Sequence, residues 1–234
     1  MIFSWDAPGP YAVAFSTRLG GVSKGEFASL NLGLLTDDHP DCVAENRRRF
    51  CSHVAVDPGR LAKNLQVNGS VVNHARPGGS AEPGDGLWTD EPEVPLLAIA
   101  ADCLPIALVR ADGAQPAVAV LHAGRAGLLS GVVEAGAAAL GGGRLAAVVG
   151  PGIGACCYEV GNEIVAAYRA RFGDGVLVGN HLDLRAAAER LLRDVGVEHI
   201  DHVDLCTACD PDRFFSHRRD GRRTGRQGVL AVIR

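Results

Sequence analysis

Cys103 and His122 are the side chains of this sequence best placed to do chemistry, because each stands where an apolar run meets a turn. Cys103 lies in Ala101-Asp102-Cys103-Leu104-Pro105, and His122 opens His122-Ala123-Gly124 after the run 117–121. Their separation, 122 − 103 = 19 positions, suits two neighbouring strands joined by a loop. A thiol and an imidazole converging in this way make either part of a metal site or a thiol–imidazole pair. Gly124 allows a ligand close to the backbone, and Asp102 supplies a carboxylate to orient an imidazole or bind substrate. Each residue also has a plainer role alone, the Cys as a small buried hydrophobe and the His as a structural donor at a strand end. Together they favour function.

Two further strings carry anion-binding chemistry. In Arg18-Leu19-Gly20-Gly21-Val22-Ser23 a guanidinium adjoins a glycine turn whose amides can face an anion, although such a turn also simply joins two elements. The segment 216–227 holds five Arg against one Asp in a chain that is acidic elsewhere, a concentration of phosphate-compatible donors or a solvated basic face. The glycines at 150, 152 and 154 lack the spacing of a dinucleotide fingerprint and the Lys-Ser/Thr of a phosphate loop. Cys206-Thr207-Ala208-Cys209 has CxxC spacing, but its only companion pair, Cys156-Cys157, is adjacent in the chain; the expectation is therefore structural or incidental cysteines rather than a zinc ribbon.

The elements that must position these groups follow from periodicity. Strands are expected at 11–16, 65–67, 71–74, 96–100, 106–109, 117–121 and 146–149, and helices at 41–55, 128–140, 160–172 and 184–195. Residues 76–85, rich in Gly and Pro, read as a flexible loop. With 234 residues, 47% of them hydrophobic and 21% charged, the chain can fill one core, and a single domain over 1–234 is expected. A formal net charge of −4 argues against a nucleic-acid coat and leaves a small molecule as the expected partner. The N-terminal residues lack a basic and apolar export signal, and the apolar stretch 94–109 is broken by Asp102 and two prolines, so no membrane span is expected. Seven cysteines without such a signal fit reduced thiols and a cytoplasmic location.

Read together, Thr17–Ser23, Ser29-Leu30-Asn31-Leu32-Gly33, Gln66-Val67-Asn68-Gly69, Ala101–Pro105, His122-Ala123-Gly124, Gly150–Gly154 and Phe214–Gln227 resemble the YfiH family, also called laccase-domain or multicopper polyphenol oxidase proteins and purine nucleoside phosphorylases. The matching segments run in order from about residue 15 to about residue 227. The resemblance implies an α/β (α+β) fold, a layered sandwich of mixed β-sheets flanked by helices. It also implies a metal pocket, usually zinc with copper as the alternative, whose ligands map to position 68, Cys103 and His122. The implied activity is phosphorolysis of adenosine, inosine, guanosine or methylthioadenosine, with associated deamination of adenosine. On that reading Cys103, His122, Asp102 and Arg18 are the catalytic set. Arg18, Asn31, Gln66, Arg218 and Arg226 bind substrate and phosphate.

The sequence departs from the family pattern at several of these positions. Position 68 is Asn, a far poorer zinc ligand than an imidazole. His74, six residues on, would lie about 20 Å away along one strand. Arg125-Ala126 stands where Trp-Arg is common, and His217 where Tyr is usual. Three other readings remain open: a cysteine-type amidase editing a peptidoglycan precursor, a polyphenol oxidase-like copper protein, and a nucleotide-binding protein whose catalysis has decayed.

Overall fold

In a computed structural model, which describes residues 2–113 and 115–234, two six-stranded sheets stack face to face between helical layers. One sheet runs in the order β1 (Ile2–Trp5), β2 (Tyr11–Ser16), β14 (Gln227–Ile233), β7 (Leu96–Ala100), β3 (Ala62–Leu65), β5 (Ser80–Pro83). The other runs β13 (His199–His202), β10 (Leu145–Val149), β8 (Leu104–Arg110), β9 (Val118–Ala123), β6 (Gly86–Thr89), β4 (Val72–His74). A small ribbon pairs β11 (Leu177–Val178) with β12 (His181–Leu182). Both large sheets mix parallel and antiparallel pairs, as the resemblance implied.

Burial on both faces explains why the central strands read as unbroken apolar runs rather than as alternating patterns. Along β14, Val229, Ala231 and Ile233 face the second sheet, where they meet Ala107, Val109, Val118, Val120 and Val148. Leu230 and Val232 point the other way, toward Phe50 and Cys51 of α1 (Pro40–His53). On the far face of the second sheet, Leu104, Ile106, Leu108 and Leu121 pack under α2 (Arg125–Ser130), α3 (Val132–Ala139), α4 (Asn162–Phe172) and α5 (Leu184–Asp194). The single helix expected over 128–140 is two, because Gly131 adopts the left-handed conformation at φ 95° and breaks the ladder between them. A short α6 (His217–Asp220), capped by Ser216, carries part of the arginine-rich string.

Pairing of β8 with β9 brings the two chemistry-bearing strings together. Leu104 faces Ala123 and Pro105 faces His122, so Cys103 comes to lie against Gly124. Residues 76–85 contain β5 and deliver Asp85 to the same place. No helix among the described residues is long and apolar enough to cross a membrane.

Candidate active site

The floor of the site is a short chain of contacts ending at Cys103. His122 is buried at the end of β9, and its Nδ1 lies 2.7 Å from Asp85 Oδ1. Its imidazole also meets the Cys103 side chain. Asp85, almost fully buried, accepts hydrogen bonds from the backbone amides of Val67 at 3.1 Å, Asn68 at 3.0 Å and Gly69 at 2.6 Å. Burial opposes the charge on Asp85, but the His122 ring and these amides outweigh it and hold the carboxyl below its ordinary range. Burial likewise opposes the imidazolium of His122, yet Cys103 and Asp85 raise its pKa to about 9. The three residues thus form a thiol–imidazole–carboxylate series in which the acid orients the base.

Asn68 completes the floor in a left-handed backbone conformation at φ 61°, one that Asn tolerates better than most residues. A Cβ built on Gly124 would come within 2.8 Å of Cys103 Sγ and 3.3 Å of Asn68 Oδ1, which brings thiol and amide to one point and explains the glycine. As a zinc site this donor set falls short. A catalytic zinc takes three strong protein ligands, whereas this floor offers one thiol, one imidazole and a neutral amide. Among the described residues no His, Cys, Asp or Glu completes a metal-ligand cluster with Cys103 and His122, and Asp85 is engaged as the hydrogen-bond partner of His122 Nδ1. His74 does not fill the gap: it packs on Trp88 with ring centroids 4.5 Å apart and faces Asp90.

Above the floor opens a cleft of about 880 Å³, a volume suited to a nucleoside and an anion together. Arg47, Lys63, Arg125, Arg218 and Arg226 line it, with Leu34, Leu35 and Leu65 along an apolar side. Lys63 has no side-chain hydrogen bond or ion pair among the described residues. Arg218 stacks over Tyr158, its Cζ 5.0 Å from the ring centroid, and donates to the Glu159 carbonyl at 2.9 Å. Arg226 is braced by the carbonyls of Thr224 and Gly225 at 2.7 and 2.9 Å. Burial lowers the Arg226 guanidinium from its ordinary value, while Cys103 and Asp102 act in the opposite sense. Burial raises the Tyr158 phenol above its ordinary value, while the nearby Arg125 acts in the opposite sense.

The other expected site residues take different positions. Asp102, at φ 87°, has both carboxylate oxygens engaged, Oδ1 by the Thr207 hydroxyl and Oδ2 by the Arg218 amide, each at 2.6 Å. It borders the cleft and holds residues 207 and 218 in place. Arg18 is not among the residues lining the cleft; its guanidinium donates to the carbonyls of Ala28 and Pro211 and covers the Phe215 ring at 4.6 Å. Asn31 is fully buried and accepts from the Arg226 amide at 2.8 Å, so it fastens an arginine and does not line the cleft. Gln66 lines the cleft while pairing with both backbone groups of Ile99, at 2.7 and 2.9 Å, like one rung of a ladder.

Sequence reasoning missed Asp85, which sat inside the stretch read as a flexible loop. It also gave no sign that the CxxC pair and the adjacent pair meet. Cys156, Cys157, Cys206 and Cys209, expected to be structural or incidental because 156 and 157 are adjacent, bring their four sulfurs within 4.8 Å of one another. The turn after β10 folds the adjacent pair against the CxxC loop, and sequence adjacency proves no obstacle.

Comparison with known proteins agrees with the fold. Residues 12–234 match the family described as multi-copper polyphenol oxidoreductase laccase. A purine nucleoside phosphorylase of Pseudomonas aeruginosa is 38% identical over 98% of this chain and 96% of its own length. Another, from Deinococcus radiodurans, is 39% identical over 94% of this chain and 87% of its own. The purine nucleoside phosphorylase YfiH of Escherichia coli is 34% identical over 95% of this chain and 93% of its own. Among solved structures, a Neisseria meningitidis protein superposes with a TM-score of 0.90 at 32% identity, covering 99% of this chain and 98% of that one. YlmD from Geobacillus stearothermophilus gives 0.89 at 32% identity, covering 97% and 93%.

Proposed function

This chain belongs to the multi-copper polyphenol oxidoreductase laccase family, and we propose that it is a cytoplasmic purine nucleoside phosphorylase acting on nucleosides such as adenosine, inosine, guanosine or methylthioadenosine. The observation that carries the reading is a cleft of nucleoside size with five basic side chains and an apolar side, set over the Cys103–His122–Asp85 series. The names of the full-length relatives support the reaction.

In phosphorolysis a phosphate oxygen bonds to the anomeric carbon of ribose as the bond to the purine nitrogen breaks. The electron pair left on the base takes up a proton, and free base and ribose 1-phosphate depart. Lys63, Arg218 and Arg226 hold the phosphate, with the partly desolvated Arg226 giving its charge more effect than it would have in open water. Leu34, Leu35 and Leu65 cover the purine. His122 supplies the proton: Cys103 and Asp85 keep it protonated at neutral pH, and Asp85 fixes its orientation. Zinc, and deamination of adenosine by metal-activated water, belong to a floor whose third ligand is a histidine; with Asn68 the phosphorolytic reading proceeds from the protein's own groups.

The test is to incubate the purified chain with inosine or adenosine, with and without phosphate, and to separate the products. Phosphate-dependent release of base together with ribose 1-phosphate is the expected result. Phosphate-independent release overturns it, and ligand binding without turnover points to a decayed nucleotide-binding protein. Ammonia from adenosine only after Asn68→His restores a metal-dependent deaminase to the account.

One observation favours a second reading. The acid–imidazole–thiol order is that of a cysteine amidase, such as an enzyme trimming a peptidoglycan precursor. An acyl-enzyme mass on Cys103 during turnover of an amide would support it.

A further inference from the structure

Four cysteines converge outside the cleft, and their arrangement does more than fill space. The isolated bridge between Gly152 and Cys206, with the Thr207 amide donating to the Gly152 carbonyl at 3.1 Å, ties the turn after β10 to the loop after β13. Cys209 Sγ lies 3.5 Å from Cys156 Sγ and 3.3 Å from Cys157 Sγ, and all four sulfurs fit within 4.8 Å. Four sulfurs arranged tetrahedrally about one zinc ion at about 2.3 Å would stand about 3.8 Å apart, close to what is seen. A disulfide needs about 2.05 Å between two sulfurs. Here Cys209 faces two sulfurs at once, so no single pairing accounts for it. A multi-iron cluster would place its cysteines on separate irons and spread them wider than sulfurs that share one ion.

The surroundings suit a site bearing net negative charge. The Gly154 amide donates to Cys206 Sγ at 3.2 Å, an N–H···S contact that stabilises thiolate. A Cβ on Gly154 would lie 3.2 Å from Cys156 Sγ and 3.6 Å from Cys206 Sγ, so the glycine keeps the space open. Arg219 donates to the carbonyls of Thr207 and Ala208 at 2.8 and 3.3 Å, and Arg185 to that of Leu205 at 3.4 Å, while each also pairs with a carboxylate, Asp220 and Asp204 respectively, so they brace the loop.

We propose that Cys156, Cys157, Cys206 and Cys209 form a closed, mononuclear tetrathiolate site for zinc, separate from the cleft floor. Each thiol releases its proton to solvent as its sulfur–metal bond forms, and no redox change is involved. The ion clasps two loops that brace the cleft, one through Tyr158 in its lining and the other through Asp102. Thr207, inside the CxxC turn, holds Asp102, and Tyr158, next to Cys157, lies under Arg218. Its role is structural, since four protein ligands leave no position for a substrate.

The test removes the floor as a confounder by using full-length Cys103→Ser protein, grown with zinc and then exchanged with cobalt(II). About one zinc per chain is expected, and the cobalt form should show thiolate charge-transfer bands with a tetrahedral ligand-field spectrum. Cys206→Ser with Cys209→Ser in the same background should lose the ion and the bands. Should that variant fail to fold, X-ray absorption at the zinc edge on the intact quartet decides: four sulfurs at about 2.3 Å support the site. Folded Cys103→Ser protein that binds no metal overturns it. So does a shell containing nitrogen or oxygen, or a disulfide among these cysteines found by mass spectrometry.

Discussion

Two thiol-bearing regions of this molecule meet opposite demands. At the cleft floor one cysteine is paired with one imidazole and an amide, under basic side chains and open to a ligand. At the loop clasp four cysteines face one another and the Gly154 amide, with little room for anything but a single ion. The contrast is the one between reactive and structural metal chemistry: an incomplete donor set leaves capacity for substrate, whereas a complete one spends all of it on holding the chain. Cysteine identity alone does not separate the two. The number of sulfurs per point in space does.

Substitution at each region gives opposite signatures. Cys103→Ala should lower kcat/KM for phosphorolysis by about 10³-fold, with Tm nearly unchanged, because the side chain holds a protonated imidazole and little else depends on it. Loss of the Cys206 and Cys209 thiols should instead lower Tm and leave much of the activity per folded molecule. If both changes act alike in thermal scans and kinetics, the comparison fails.

Asp85→Asn should cost roughly 10- to 100-fold in kcat/KM and also reshape the pH profile. His122 titrates at about 9, above its ordinary 6.5, so the proton donor is present through neutral pH and is lost as pH rises through about 9. Removing the carboxylate takes away one influence that raises the value, and the alkaline limb should move to lower pH. A limb that stays in place would assign the proton to another group.

Gly124→Ala should reduce turnover by about 10-fold, because the added methyl presses on Cys103 Sγ and Asn68 Oδ1 and shifts the floor. The smallest effect expected is that of Thr207→Val, about 5-fold, through loss of one hydrogen bond to Asp102. Since Thr207 lies inside the clasp, stripping zinc from the unaltered protein should mimic this change in steady-state kinetics. A zinc-stripped protein with full activity would separate the two regions altogether.

Much of this was legible in the sequence where periodicity and turn chemistry act locally. Tyr11–Ser16 and Leu96–Ala100 are strands at the expected bounds, and the convergence of Cys103 with His122 follows from the antiparallel pairing of β8 and β9. What escaped depends on contacts distant in the chain. Asp85 looked like loop punctuation, because nothing local says that three amides from 67–69 will close around it. Arg18 looked like an anion ligand until carbonyls from residues 28 and 211 accounted for its guanidinium. The cysteine quartet was hidden because metal-ligand spacing assumes two separated pairs along the chain, whereas here a bridge between residues 152 and 206 sets the geometry.

The position of β14 has a consequence for how this molecule is made. It is the third strand of its sheet, hydrogen-bonded to β2 on one side and β7 on the other, yet every other strand of either sheet precedes it in the chain. During synthesis β2 and β7 leave the ribosome with a gap between them that only residues 227–233 can fill. Until then the nascent chain carries two unpaired apolar edges, an invitation to chaperones or to wrong partners. The arginine-rich string just upstream emerges immediately before the sheet can close, so the cleft acquires Arg218 and Arg226 at the same late step that completes the core.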